Sequence, residues 1–300
     1  MTSRVVLSVW GPAFGNDLRE VVRQVRQHGF SGIQLDATSR MIDLSDLSSS
    51  ARREIRHLLS THQLRLCSIR LEYGPSGLGP EADVDQCLDK TDTILNSASE
   101  LGAAVVCLDL GRLPPVQRTT APKPRITPDM AGLIIVPEIS TPAPEPPVPT
   151  RVDPSLLSHW QSALGQLGEM ADRYGMILGL SSSLSSFASL TGLLKQMDCP
   201  WFGVDLDPSL VLKDSWSLDE VFDALGHQIR HVRARDVVMG EDRRTKPAIL
   251  GRGDVPWREV LSALDESGYA GALTIDPSEL SDPASSAVTG LKQLQAILQL

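Results

Sequence analysis

Acidic, basic and imidazole side chains recur at a spacing of two toward the ends of short apolar runs in this 300-residue chain. In Phe202-Gly203-Val204-Asp205-Leu206-Asp207 the apolar residues alternate with acids, and successive side chains of a strand point to opposite faces. If Phe202, Val204 and Leu206 face helices, Asp205 and Asp207 face the other way. The same alternation places His231, Arg233 and Arg235 on one face of Ile229–Asp236 and Thr274 and Asp276 on one face of Ala272–Asp276. It also puts Gly179 and Ser181 together, while Asp36, Arg70 and Asp109 belong to three further runs. Carboxylates, guanidinia and an imidazole converging on one place suit proton transfer. Asp207, Asp276 or His231 could serve as base while Arg233 or Arg235 steadies an enediolate. Asp207, Arg233 and Asp276 are therefore the candidate catalytic residues, and Asp36, Arg70, Asp109, Ser181, His231 and Arg235 the candidate substrate-binding ones. A satisfied internal ion-pair network is the competing account, because buried charges must be paired. His231, two residues before Arg233, is expected one layer deeper, as a hydrogen-bonded core histidine rather than a catalytic one.

To bring these side chains together the chain must form parallel strands. Eight Val-, Ile- and Leu-rich runs predict them: Val5–Trp10, Gly32–Asp36, Leu64–Leu71, Ala104–Leu110, Met176–Ser181, Trp201–Asp207, Ile229–Asp236 and Ala272–Asp276. Amphipathic stretches follow them at Asp17–His28, Ser50–His62, Val84–Leu101, Leu156–Tyr174, Phe187–Met197, Leu218–Leu225, Trp257–Ser267 and Ala284–Leu298. Gly29, Gly102, Gly175 and Gly268 fall just past four of these helices, where a left-handed cap favours glycine. Eight βα units in this length predict a closed (β/α)8 TIM barrel, a single α/β domain over 1–300. The alternative, a doubly wound open sheet, lacks its G-x-G-x-x-G fingerprint after the first strand. In a barrel the polar strand ends all open on the C-terminal face, where active sites are built.

Residues 113–154 hold 12 of the 21 prolines and predict an irregular insertion after the fourth strand. Its Leu133-Ile134-Ile135-Val136 could pack as a lid over the mouth or as a patch on the outside. Glu241–Lys246 reads as a solvated turn, and Gly251 and Gly253 as residues that set backbone shape rather than cradle phosphate.

At 41% hydrophobic and 22% charged residues, the chain is globular rather than disordered. It has no apolar stretch near the roughly 20 residues of a membrane span, and Met1-Thr2-Ser3-Arg4 leads into a strand without a signal-peptide core. A cytoplasmic protein that binds no membrane is expected. A net charge of −9 argues against a nucleic-acid partner and leaves a small polar ligand. The four cysteines, at 67, 87, 107 and 199, form no C-x-x-C pair, so neither a disulfide framework nor a cysteine zinc site is expected.

From the sixth unit onward the sequence resembles the xylose-isomerase-like barrels of the sugar phosphate isomerase/epimerase superfamily. The resemblance is carried by Gly203-Val204-Asp205-Leu206-Asp207-Pro208-Ser209, by His231-Val232-Arg233-Ala234-Arg235-Asp236, and by Leu250-Gly251-Arg252-Gly253-Asp254-Val255-Pro256-Trp257. It continues in Gly268-Tyr269-Ala270-Gly271-Ala272-Leu273-Thr274-Ile275-Asp276, and Gly29–Asp36 is similar to the family's second strand. The resemblance implies a divalent metal held by Glu, Asp, His and Glu on strands five to eight. The matching positions here are Ser181, Asp207, Arg233 and Asp276, and Leu210 stands where a family histidine often falls. A protonated guanidinium has no lone pair for a metal, so Arg233 implies that the cofactor is lost and that an arginine sits between Asp207 and Asp276 in its place.

Two functions follow from this pattern. One is isomerisation or epimerisation of a small sugar or sugar derivative without the family metal. The other is a catalytically inactive relative that keeps the pocket for ligand binding or as a scaffold. An abasic-site nuclease would need a multi-metal array and a basic DNA face, neither of which the sequence offers.

Overall fold

The computed structural model describes residues 5–74, 76–111, 113, 154–181, 187–213, 216–240 and 244–298, without the side chains of 154–157, 187 and 188. Seven strands follow one another as β1 (Val6–Trp10), β2 (Gly32–Asp36), β3 (Arg65–Leu71), β4 (Val105–Asp109), β5 (Ile177–Ser181), β6 (Phe202–Leu206) and β7 (Ile229–Ala234). A hairpin of β8 (Asp236–Met239) and β9 (Thr245–Ala248) comes next, and then β10 (Ala272–Ile275). All but the hairpin join in one closed parallel barrel, β1-β10-β7-β6-β5-β4-β3-β2. The expected TIM barrel is therefore formed as a single domain, and the open sheet is not.

Helices α1 (Leu18–Gln27), α2 (Ser49–Thr61), α3 (Val84–Leu101), α4 (Pro154–Tyr174) and α5 (Phe187–Met197) cover the first five strands. After β6 come α6 (Pro208–Lys213) and α7 (Leu218–Leu225), and the hairpin and β10 are followed by α8 (Trp257–Glu266) and α9 (Pro283–Leu298). Local chemistry sets their ends. Asp17 accepts the Glu20 amide ahead of α1, Ser217 and Glu220 form a capping box on α7, and Gly102 closes α3 in the left-handed region. Gly29, Gly175 and Gly268 also have positive φ, as expected.

The outward faces of the strands carry Val9, Ile33, Leu35, Ile69, Val106, Leu108, Leu178, Leu180, Val204, Leu206, Val232, Leu273 and Ile275, all buried. At roughly 1.5–3 kcal/mol for each fully buried aliphatic side chain, this ring favours one alternation of in and out on every strand. That alternation turns the polar residues inward.

Two departures from the expected elements bear on the site. The seventh strand was expected to run on to Asp236, but β7 ends at Ala234 and Asp236 opens the hairpin, which pairs Asp236 with Ala248 and Met239 with Thr245. Of the expected solvated turn, Thr245 and Lys246 belong to β9, and 241–243 lie outside the described residues. The short helix α6 was not anticipated; Pro208 at its first position is preset for a helix start. The proline-rich insertion, Leu133–Val136 included, lies outside the described residues except for Leu113 and Pro154.

Candidate functional site

The barrel interior is polar in two tiers, and two register irregularities place the lower one. Between β2 and β3 the pairing slips, so that Gln34 stands opposite Ser68; between β6 and β7 a second slip sets Asp205 opposite His231. A bulge of this kind re-aims side chains locally. Gln34 Nε2 donates to Ser68 Oγ at 2.9 Å, and His231 Nε2 lies 3.1 Å from Ser68 Oγ and 2.7 Å from Thr274 Oγ1. His231 Nδ1 lies 2.6 Å from Asp205 Oδ1. An ionised carboxylate can only accept, so Nδ1 carries the proton and donates it to that bond. Asp205 Oδ2 accepts from Arg233 Nη2 at 3.1 Å. Burial alone would raise the Asp205 carboxyl, but the His231 and Arg233 groups bonded to it outweigh burial and hold it well below the usual carboxylate range. Arg233 is raised in turn, because Asp205, Asp276 and Asp207 together overcome the effect of its burial.

This corrects the expected pairing. Arg233 was expected to bond Asp207 or Asp276; its ion pair is with Asp205, which was read as facing inward but was not among the candidate site residues. Asp207 caps α6 instead: its Oδ1 accepts from the Ser209 amide at 2.9 Å and from Ser209 Oγ at 2.6 Å. Its Oδ2 accepts from Arg235 Nε at 2.7 Å, and Arg235 Nη2 also closes on that oxygen. Asp276 Oδ1 accepts from the Ser278 amide at 3.0 Å and Oδ2 from Arg70 Nη1 at 2.9 Å. His231 is the hydrogen-bonded core histidine anticipated, fully buried with both ring nitrogens bonded.

The upper tier is built around Arg70 and Arg235. Arg70 Nε donates to Asp36 Oδ1 at 3.1 Å and lies 3.3 Å from Glu72 Oε1. Its guanidinium carbon sits 5.0 Å above the centre of the Trp10 ring, and Trp10 Nε1 donates to the same Asp36 Oδ1 at 2.8 Å. Arg235 Nη1 donates to Glu279 Oε1 at 3.0 Å. Burial is the largest influence on Asp36 and raises its carboxyl, against the pull of Arg70 and Trp10. Asp276 is lowered: Arg70 and Arg233 outweigh its burial. Asp109 and Ser181, paired across β4 and β5, bond nearby backbone, Asp109 Oδ1 accepting from the Gly111 amide and Ser181 Oγ donating to the Leu108 carbonyl.

Stability should follow these charges. Asp205 and Asp276, lowered in the fold, contribute stability that is complete above the unfolded aspartate value near pH 3.9 and is lost as pH falls through their folded values. Asp36, raised, contributes in the opposite sense, fully below that value and less as pH rises through its folded one. The urea midpoint should therefore fall below about pH 4, and Asp276→Asn should flatten part of that fall. An unchanged acid limb in Asp276→Asn would count against this assignment.

Trp10, Glu72, Glu279 and Asp236 were not singled out by sequence. Trp10 and Glu72 are each the last or next residue of an inward-polar strand, a signal that an alternation count carried one step further would have used. Asp236 is 3% exposed and accepts four backbone amides: Val237 at 2.9 Å and Val255 at 3.1 Å on Oδ1, Gly251 at 2.8 Å and Gly253 at 3.1 Å on Oδ2. Gly251 has φ +82, and a Cβ on Gly253 would lie 2.2 Å from Asp236 Oδ1. Both glycines therefore set backbone shape, and their amides are committed to Asp236.

Cys107, Asp205 and His231 bring ligand atoms within 4.8 Å of one another, all buried. Burial pushes the Cys107 thiol well up, and both Asp205 oxygens already bond His231 and Arg233, so Asp205 is committed to those partners beside a neutral thiol. All four cysteines are free thiols.

A profile of the xylose isomerase-like TIM barrel family matches residues 22–297. The chain belongs to this family. Its fold superposes on a xylose isomerase domain protein from Planctomyces limnophilus with a TM-score of 0.71 at 16% identity, covering 100% of this chain and 98% of the other. It superposes on YcjR, a 3-keto-D-glucoside 4-epimerase of E. coli in its apo form, with a TM-score of 0.66 at 14% identity, covering 98% and 100%. Uncharacterized protein MJ1311 of Methanocaldococcus jannaschii is 27% identical over 135 residues, which span 42% of this chain and 45% of that relative. Among the described residues of this xylose isomerase-like barrel no helix is long and apolar enough to cross a membrane.

Proposed function

We propose that this xylose isomerase-like barrel takes a small sugar or sugar derivative at its C-terminal mouth and acts on it by proton transfer without a divalent ion. The observation that carries the reading is the occupation of the metal-matching positions. Arg233 cannot ligate, and all four oxygens of Asp207 and Asp276 already accept bonds from Arg235, Ser209, Arg70 and Ser278. That donor set does not suit a divalent ion. The likeness to a 3-keto-D-glucoside epimerase favours a sugar-like ligand. The unpaired cysteines suit the reducing cytoplasm.

The base is then Asp36 rather than Asp207, Asp276 or His231. Asp36 accepts from both Trp10 and Arg70 on Oδ1, and burial raises its carboxyl, which makes it a stronger base than a free aspartate. Arg70, ion-paired with Asp36, Glu72 and Asp276, fixes the orientation of the Asp36 carboxylate.

The test is exchange of carbon-bound hydrogen in D-fructose by the purified chain in deuterated buffer, with metal analysis of the same sample. Exchange that persists in EDTA and disappears in Asp36→Asn is the expected result. A stoichiometric metal, or exchange abolished by EDTA, would overturn the reading. The second reading, ligand binding without turnover, is favoured by the locked state of Asp207 and Asp276; saturable D-fructose binding with no exchange would select it.

A further inference from the structure

Among the described residues six carboxylates pair with three guanidinia of the barrel interior and mouth, and they are not shared evenly. Arg233 pairs with Asp205, Arg235 with Asp207 and Glu279, and Arg70 with Asp36, Glu72 and Asp276. The buried acids of these sets, Asp205, Asp207 and Asp276, with Asp36, are enough to balance the arginines and to satisfy the rule that interior charges be paired. Glu72 and Glu279 are surplus to that balance. Their side chains are 61% and 53% exposed, so no burial requirement explains them, and an exposed ion pair adds little to stability. Each nevertheless pairs with a guanidinium whose own side chain is only 9% or 18% exposed, Glu72 with Arg70 at 3.3 Å and Glu279 with Arg235 at 3.0 Å.

That is where the phosphate or carboxylate of an anionic sugar would dock. Arginine presents a fork of donors that suits either group, and a carboxylate already lying against one of those donors repels a second anion. We propose that Glu72 and Glu279 are specificity-determining residues that mask Arg70 and Arg235 from anions, so that the barrel takes unphosphorylated sugars and rejects sugar phosphates. The proposal rests on the sugar-binding reading above and names the charge class of its ligand. Rejection is achieved by repulsion, a device that separates ligands of equal shape without adding contacts to the preferred one. Asp36 keeps its bonds to Trp10 and Arg70 in either case, because Glu72 pairs with Arg70; the Glu72 charge only adds to the rise of the Asp36 carboxyl.

Calorimetry with D-fructose, D-fructose 6-phosphate and inorganic phosphate tests it, on the full chain and on Glu72→Gln/Glu279→Gln. Both sites are exposed, so the variant should fold as the parent does, and an unchanged urea midpoint checks this. The parent should bind D-fructose at least about tenfold tighter than its 6-phosphate. The double variant should reverse or erase that ratio by a gain of about tenfold or more for the phosphate ester and for inorganic phosphate, with D-fructose unchanged. Equal or tighter binding of the 6-phosphate by the parent would overturn the proposal, as would a ratio that does not move in the variant. If the parent binds neither sugar, the sugar-binding reading fails by itself. The masking of Arg70 and Arg235 is still judged, since the gain in inorganic phosphate binding then either occurs or does not.

Discussion

Arg233→Ala should destabilise the barrel by about 3–5 kcal/mol, the cost of removing one partner from a buried ion pair. The Asp205 side chain is 0% exposed and that of Arg233 13%, so solvent does little to discount the loss. What remains in the variant is a buried carboxylate with His231 on its other oxygen. Asp205→Asn combined with Arg233→Met should be milder than Arg233→Ala, since removing both charges avoids an unpaired one. Combining Arg233→Met with Asp207→Asn should bring no such relief, because Asp207 bonds Arg235. Urea unfolding of the four proteins separates these outcomes, and relief through Asp207 rather than Asp205 would refute the pairing.

Asp236→Ala should cost roughly 2–6 kcal/mol, at 1–3 kcal/mol for each of the two buried amides, Val237 and Val255, left without an acceptor. The Gly251 and Gly253 amides are only partly buried and can turn to water, so they add less. Asp236→Asn should not rescue the loop. Each carboxylate oxygen accepts two amides, so a carboxamide in either orientation sets its own N–H2 against two donors. Hydrogen exchange should show the effect as faster exchange across Gly251–Val255 and the start of α8, where Trp257 is buried. Protection of those amides equal to the parent's would show that the loop is held by other contacts.

The sequence by itself determined the eight strands, their order as βα units, which side chains face the barrel axis, and the end at which the charged ones collect. It could do so because each is a matter of a single strand: an apolar face of period two must meet helices, and parallel strands must all point the same way. The family resemblance was legible for the same reason, since its motifs are local runs around β6, β7 and β10. Tertiary structure alone decided which acid meets which arginine. The slip between β6 and β7 sets Asp205 beside His231 and within reach of Arg233. Asp207, past the end of β6, is drawn off to cap α6 and meets Arg235, itself past the end of β7. Asp276 finds Arg70 from across the barrel, 206 residues away in sequence. Alternation counts residues along one strand, whereas partner choice depends on the height of one strand against the next and on distance across the interior. A single extra residue in one strand changes both without changing the pattern of either.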